Sequence, residues 1–155
     1  MTLIKSIFSA MIIIGVASLN AHAKMSVNKA QECQAVLDFT IERAESVKKY
    51  DKGDVKTVTK GLRAYNAFLQ TQHVTPGLLE FTKGDKPAAA DYQKQIDAYK
   101  LKIVQGLKAK HPQERIFTDQ AVAINNCYSS APMGDDKLQM MTDAVQGLVA
   151  LAKQG

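Results

Sequence analysis

Two cysteines, Cys33 and Cys127, stand far apart in a chain whose first residues read as an export signal. Together these facts constrain the fold more than any other feature. Lys5 supplies a positive start, Ile7 to Val16 is mostly apolar, and Ala21-His22-Ala23 has the small-x-small form of a cleavage site. A stretch this short, ending in small residues, is expected to be a removable signal rather than a membrane anchor. The signal is thus assigned to residues 1–23 and the mature chain to 24–155, in the bacterial periplasm. In an oxidising compartment two thiols pair as a disulfide more readily than they serve as metal ligands or nucleophiles. A Cys33–Cys127 bond closes a loop of about 95 residues and is worth roughly 4–5 kcal/mol in the chain-entropy model.

Removing the first 23 of 155 residues leaves 132, enough for one domain with a real core. Lys5 is the only charge removed, so the formal net charge falls from +5 to +4. The excess is dispersed lysine, with arginine only at Arg43, Arg63 and Arg115. Nucleic-acid binding needs a clustered basic face with stacking aromatics, and none is seen. No second apolar run approaches membrane-spanning length, so no membrane span is expected.

Hydrophobic spacing predicts an all-α chain. Ala30, Cys33, Leu37, Ile41, Ala44 and Val47 recur at three- and four-residue steps, with a helix start at Asn28 and Gln31. Asp51-Lys52-Gly53-Asp54 breaks the pattern, with Asp54 as the next cap. Val55, Val58, Leu62, Tyr65 and Leu69 resume it. Thr75-Pro76-Gly77 is expected to end that second helix. Leu78 to Phe81 is a short apolar stretch in a linker. Pro87 opens a third helix through Ala89, Tyr92, Ile96, Tyr99, Ile103 and Leu107, ended by His111-Pro112. A fourth carries Phe117, Ala121, Ile124 and Cys127 or Tyr128. A last follows Asp135 or Asp136 with Leu138, Met141, Val145, Leu148 and Ala152. The economical arrangement is an antiparallel four-helix bundle with an additional C-terminal helix, stapled by one disulfide.

The third helix resembles that of the soluble periplasmic b-type cytochromes over roughly 20 residues. The likeness lies in Pro87-Ala88-Ala89-Ala90-Asp91-Tyr92, Ile96-Asp97, Ile103 and Leu107-Lys108. It implies a bundle fold and a periplasmic address. The family's axial Met lies early in its first helix and its axial His late in the fourth. Cys33 and Cys127 occupy those regions here, and no His follows His111. No haem or other cofactor is therefore expected.

Other chemistry is sparse. His73 and His111 read as exposed residues near helix ends, favoured there by the helix dipole, with no HxxxH or HxxE spacing for a metal. Met25, Met133, Met140 and Met141 are soft-metal donors by type but read as core or contact residues. Arg43, Lys60 and Arg63 could clasp an anion inside a bundle, yet Arg43 reads as solvent-facing beside Glu42 and Glu45. No Gly-rich phosphate loop, GxSxG or paired-carboxylate motif is present, so no catalytic residue is assigned. The expected function is a small non-enzymatic protein-binding module, of the inhibitor, immunity or chaperone type, acting as monomer or homodimer. A haem- or ligand-binding bundle is the alternative, and a small secreted helical enzyme the third reading. The expected partner surface is Tyr128, Met133 and Met140, with Leu78 to Phe81 as the next candidate.

Overall fold

The structure, a computed structural model, describes residues 25–155. The expected signal lies outside them. The described residues are helical, with no strand among them. Helix α1 spans Val27–Ser46 and starts directly after its cap, Ser26, rather than at the expected Asn28: Ser26 Oγ accepts from the Lys29 N–H at 3.2 Å. Helix α2 spans Lys52–Leu69, capped by Asp51 rather than Asp54, because the Asp51 carboxylate accepts from the Gly53 and Asp54 N–H groups. A π-helical turn, Gln70–Val74, and α3, Thr75–Phe81, follow without a break. Helix α4 spans Lys86–Lys110 with Asp85 as cap and Pro87 in the first turn. Helix α5 spans Thr118–Ser130. A 3₁₀ turn at Asp135–Lys137, holding both expected cap residues, leads into α6, Leu138–Gln154.

Pro76 does not end the second helix. Proline lacks an N–H and its ring clashes with the carbonyl four residues back. The chain absorbs this by widening one turn: the Thr75 N–H bonds to the Gln70 carbonyl, five residues back. Pro76 then sits in the first turn of α3, where no N–H is required of it.

Helices α1, α2, α6 and α5 contact one another in a closed ring, in that order. Their directions follow from the residues that meet. Gln34 reaches Asn66 while Glu45 reaches Arg63, so α1 and α2 are antiparallel. Gln154 bonds Asp54 while Ala144 lies against Gly61, so α2 and α6 are antiparallel. Cys33 meets Cys127 at one end and Tyr50 meets Ile116 at the other, so α5 runs against α1. The main core fills this ring, with Leu37, Leu62, Tyr65, Leu69, Ile124 and Leu148 almost wholly buried.

The helix outside the ring is α4, not the C-terminal one. α6 buries Met141, Ala144, Leu148 and Leu151 and packs on both α2 and α5. α4 packs on α1 and α3, and of its 25 residues only Ala89 and Val104 are buried. It runs parallel to α1, since Asp38 meets Lys100 and Glu42 meets Lys108. A second, small apolar cluster of Ala35, Phe39 and Val104 joins the two helices, with Ile103 and Leu107 at its edge. α1 is thus apolar on two sides, which explains why its buried residues exceed one stripe.

Arg43 closes the far end of α4. It is buried, not solvent-facing. Its guanidinium donates to the carbonyls of His111 and Gln113 and lies over the Phe39 ring, 5.0 Å from the centroid. The last carbonyls of a helix have no partner within it, and a fixed fork of N–H donors can serve them at the point where the chain leaves α4.

Candidate functional site

The two helices that flank α1, α2 and α4, pack on it rather than on each other, which leaves a groove between them. Its floor and walls follow from a polar row on α1. Gln34 and Asp38 recur one turn apart, along the flank of the Leu37 stripe. The Gln34 Nε2 donates to the Asn66 carbonyl at 3.2 Å and to Gln70 Oε1 at 3.3 Å. Gln70 is the first residue of the π turn. Its Nε2 donates to Gln93 Oε1 at 2.9 Å and to Thr75 Oγ1 at 3.0 Å. Gln93 Nε2 donates to Asp97 Oδ1 at 2.9 Å.

This run of amides has a direction. An ionised carboxylate only accepts, so Asp97 obliges Gln93 to donate to it. The oxygen of Gln93 then accepts from Gln70, and the oxygen of Gln70 from Gln34. The run begins at Gln34 Oε1, an acceptor that has no donor although the residue is only 2% exposed. Such an atom is costly to bury without a partner.

One part of the groove, about 510 Å³, is lined by Gln34, Asp38, Glu42, Arg63, Asn66 and Lys100 among others. Its charges are matched: Arg63 pairs with Glu45 at 2.6 Å and Lys100 with Asp38 at 3.1 Å, while Asn66 Nδ2 donates to Asp38 at 2.6 Å. The other part, about 450 Å³, is mostly apolar, with Leu78, Leu79, Ala89 and Ala90 as walls. Gln70 lines both parts and joins them. The arrangement suits binding: an apolar recess, a row of fixed hydrogen-bonding groups and a neutralised rim. Among the described residues no group of three or more His, Cys, Asp or Glu could hold a metal ion.

The residues singled out from the sequence lie elsewhere. Cys33 and Cys127 form the disulfide, with Cα atoms 5.8 Å apart, and tie the start of α1 to the end of α5. Met133 is a correction. At 4% exposure it belongs to the core and offers no side chain to a partner, because the turn after α5 folds inward over the end of the ring. Met140 and Tyr128 are half-buried and lean on the same core. The Tyr128 ring meets Tyr65 edge-on, with centroids 5.4 Å apart. Burial pushes the Tyr65 phenol well above its ordinary value, and the neighbouring Tyr128 adds to this. Tyr128 is raised by burial first and by the charge of Asp135 second.

Met25 and Met141 are core residues as well. Neither His73 nor His111 is exposed: His73 meets the edge of Phe68, and His111 lies between Phe39 and Phe117. Leu78 is buried and Leu79 half-buried, so the apolar linker stretch forms a wall of the groove and leaves Phe81 outside. Gln34, Gln70 and Gln93 were not found by sequence reasoning. The available signal was a glutamine beside each apolar stripe, at positions where solvent-facing helices more often carry charge. No family model matches the chain, and neither a curated protein nor a solved structure matches it.

Proposed function

We propose that the protein is a non-enzymatic binding module of the bacterial periplasm that takes a segment of a partner protein into the groove between α2 and α4. The single observation that carries this is the groove itself, an apolar recess at Leu78, Leu79, Ala89 and Ala90 continuous through Gln70 with a directed row of side-chain amides. Side-chain amides match the donors and acceptors of a main chain, and an adjacent apolar recess suits one anchoring side chain. Inhibitor, immunity and chaperone roles all use such a surface.

Within this reading α1, α2, α6 and α5 form an antiparallel four-helix bundle, and α4 is an arm laid along α1. The bundle supplies rigidity, while the arm supplies one wall of the site. The Cys33–Cys127 bond and the apolar N-terminal stretch with its Ala21-His22-Ala23 sequence support export, with the mature chain beginning at Lys24. Monomer and homodimer are both compatible with one groove per chain.

The test is paired capture from periplasmic extract, using the wild-type chain and a double variant, Leu79→Asp with Gln93→Ala. Both positions are only partly buried, so helicity and melting should be retained. A partner held by the wild type and lost by the variant supports the groove. Equal capture by both, or none by either, counts against it. N-terminal sequencing of the same protein tests export, with Lys24 as the expected first residue. A saturable haem spectrum from the purified protein would favour the cytochrome-like alternative instead.

A further inference from the structure

The flank of α4 turned away from the groove has a different character. Over the whole helix, Lys86, Lys94, Lys100, Lys102, Lys108 and Lys110 against Asp91 and Asp97 give +4, equal to the net charge of residues 24–155, with Lys86 and Lys100 on the groove side. Lys94, Lys100 and Lys108 are held in ion pairs. Lys86, which lines the apolar part of the groove, makes none among the described residues, and neither do Lys102 and Lys110. Alongside them the helix exposes aromatic rings. Tyr92 and Tyr99 are 39% and 52% exposed, and Phe81, at 66%, stands edge-on to Tyr92 with centroids 5.0 Å apart.

These residues share a side. Tyr92 and Tyr99 are seven residues apart, which places them about 10 Å apart along the axis and nearly in line. Lys110 falls on that line, and Lys102 lies about 60° from Tyr99 and about 80° from Tyr92, on the side opposite Gln93, which faces the groove about 100° round from Tyr92. None of Phe81, Tyr92, Tyr99 or Lys102 lines either part of the groove.

We propose that this Phe81–Tyr92–Tyr99 flank, with Lys102 and Lys110 beside it, docks the molecule on an anionic phospholipid surface. The charge identifies the sign of the partner, and the form of the face identifies its kind. α4 is a rod roughly 37 Å long, packed mainly on α1 and α3. Its cations are all lysine, long flexible stems that follow a diffuse charge, with no arginine to fork onto a particular carboxylate. Tyrosine rings, apolar in body and polar at the tip, settle at the headgroup level of a bilayer. Docking of this kind is peripheral, and no described helix is long and apolar enough to cross a membrane. It leaves the groove on the other side of α4 open, so it is independent of the binding role proposed for the groove.

The experiment uses the chain from Lys24 onward, which holds every residue of the fold described and omits the apolar N-terminal stretch. Co-sedimentation is measured with vesicles of phosphatidylcholine containing phosphatidylglycerol and with vesicles of phosphatidylcholine alone. Binding is expected to the first and not the second, and to be lost in about 1 M salt, where the Debye length is about 3 Å. Lys102→Glu with Lys110→Glu should weaken partitioning by at least about tenfold, and Tyr92→Ser with Tyr99→Ser should weaken it without changing the salt dependence. Lys48→Glu with Lys49→Glu, exposed lysines in the turn after α1, should leave it unchanged. Poly-glutamate is the competing probe. Binding to it without binding to the anionic vesicles overturns the proposal in favour of an acidic protein. Vesicle binding that survives both α4 variants, or no vesicle binding at all, also overturns it.

Discussion

α6 and α4 are both long amphipathic helices, yet one is woven into the molecule and the other rests upon it. α6 meets α2 so closely that glycine is needed on each side. A Cβ on Gly61 would stand 2.6 Å from the Ala144 Cβ and 3.0 Å from the Met140 carbonyl, and one on Gly147 would meet Val58 at 2.7 Å. A Cβ on Gly106 of α4 would meet nothing within 4 Å. The same residue type is a packing requirement in one helix and a mere loss of helix propensity in the other. A stripe of apolar residues therefore does not by itself say how tightly a helix is held. The small residues at the crossing do.

The largest effect should come from opening the ring at its covalent tie. Cys33→Ser should lower stability by roughly 2–5 kcal/mol, measured by urea unfolding. Protein purified and denatured without reductant should show almost no reactive thiol. Two reactive thiols per chain would remove the tie on which the contrast rests.

Next is the α2–α6 crossing. Gly61→Ala should cost about 1–3 kcal/mol by overpacking, because one neighbour is a backbone carbonyl that cannot rotate aside. A neutral result would mean that α6 is held no more tightly than α4.

Two buried tyrosines sharpen the comparison inside the ring itself. Tyr50 Oη accepts the Ile116 N–H at 2.6 Å and joins the loop after α1 to the loop before α5. Tyr50→Phe strands a buried N–H and should cost about 1–3 kcal/mol. Tyr65 Oη makes no hydrogen bond, so Tyr65→Phe should be neutral or slightly stabilising. The pH dependence follows from the raised phenols. Above the ordinary value of 10 the unfolded chain gives up protons that Tyr65 and Tyr128 keep in the fold. Stability from this source is fully present below pH 10 and falls as pH rises above it. Tyr65→Phe should reduce that alkaline loss, which melting curves on either side of pH 10 would measure. At Gly106, by contrast, alanine should stabilise by up to about 1 kcal/mol through helix propensity alone, which thermal melting would measure.

The helices and the disulfide were legible because apolar spacing acts locally and two cysteines leave one possible pair. The core stripe Ala30, Cys33, Leu37, Ile41 and Ala44 is buried as its spacing requires. The status of Pro76 was not legible, because a widened turn can absorb a proline that a regular turn cannot. Nor was the place of Arg43, since charged neighbours in sequence do not reveal carbonyls supplied from residues 111 and 113. The groove was least legible of all. Its amide row draws Gln34, Gln70 and Gln93 from three elements, and only their convergence gives it meaning. Choosing α4 rather than α6 as the outlying helix needed Gly61 and Gly147 to be read as contact points, whereas the sequence alone shows two similar stripes.

The central claim is that α4 is an arm on a separately stapled ring. Native-state hydrogen exchange of the disulfide-bonded protein tests it most directly. The amides of α4 should exchange as one unit, through an opening that costs clearly less than global unfolding, while those in the middle of α2 and α6 wait for the whole fold to open. Equal protection of α4, α2 and α6 would contradict the account, because it would mean that the ring and the arm unfold as a single body.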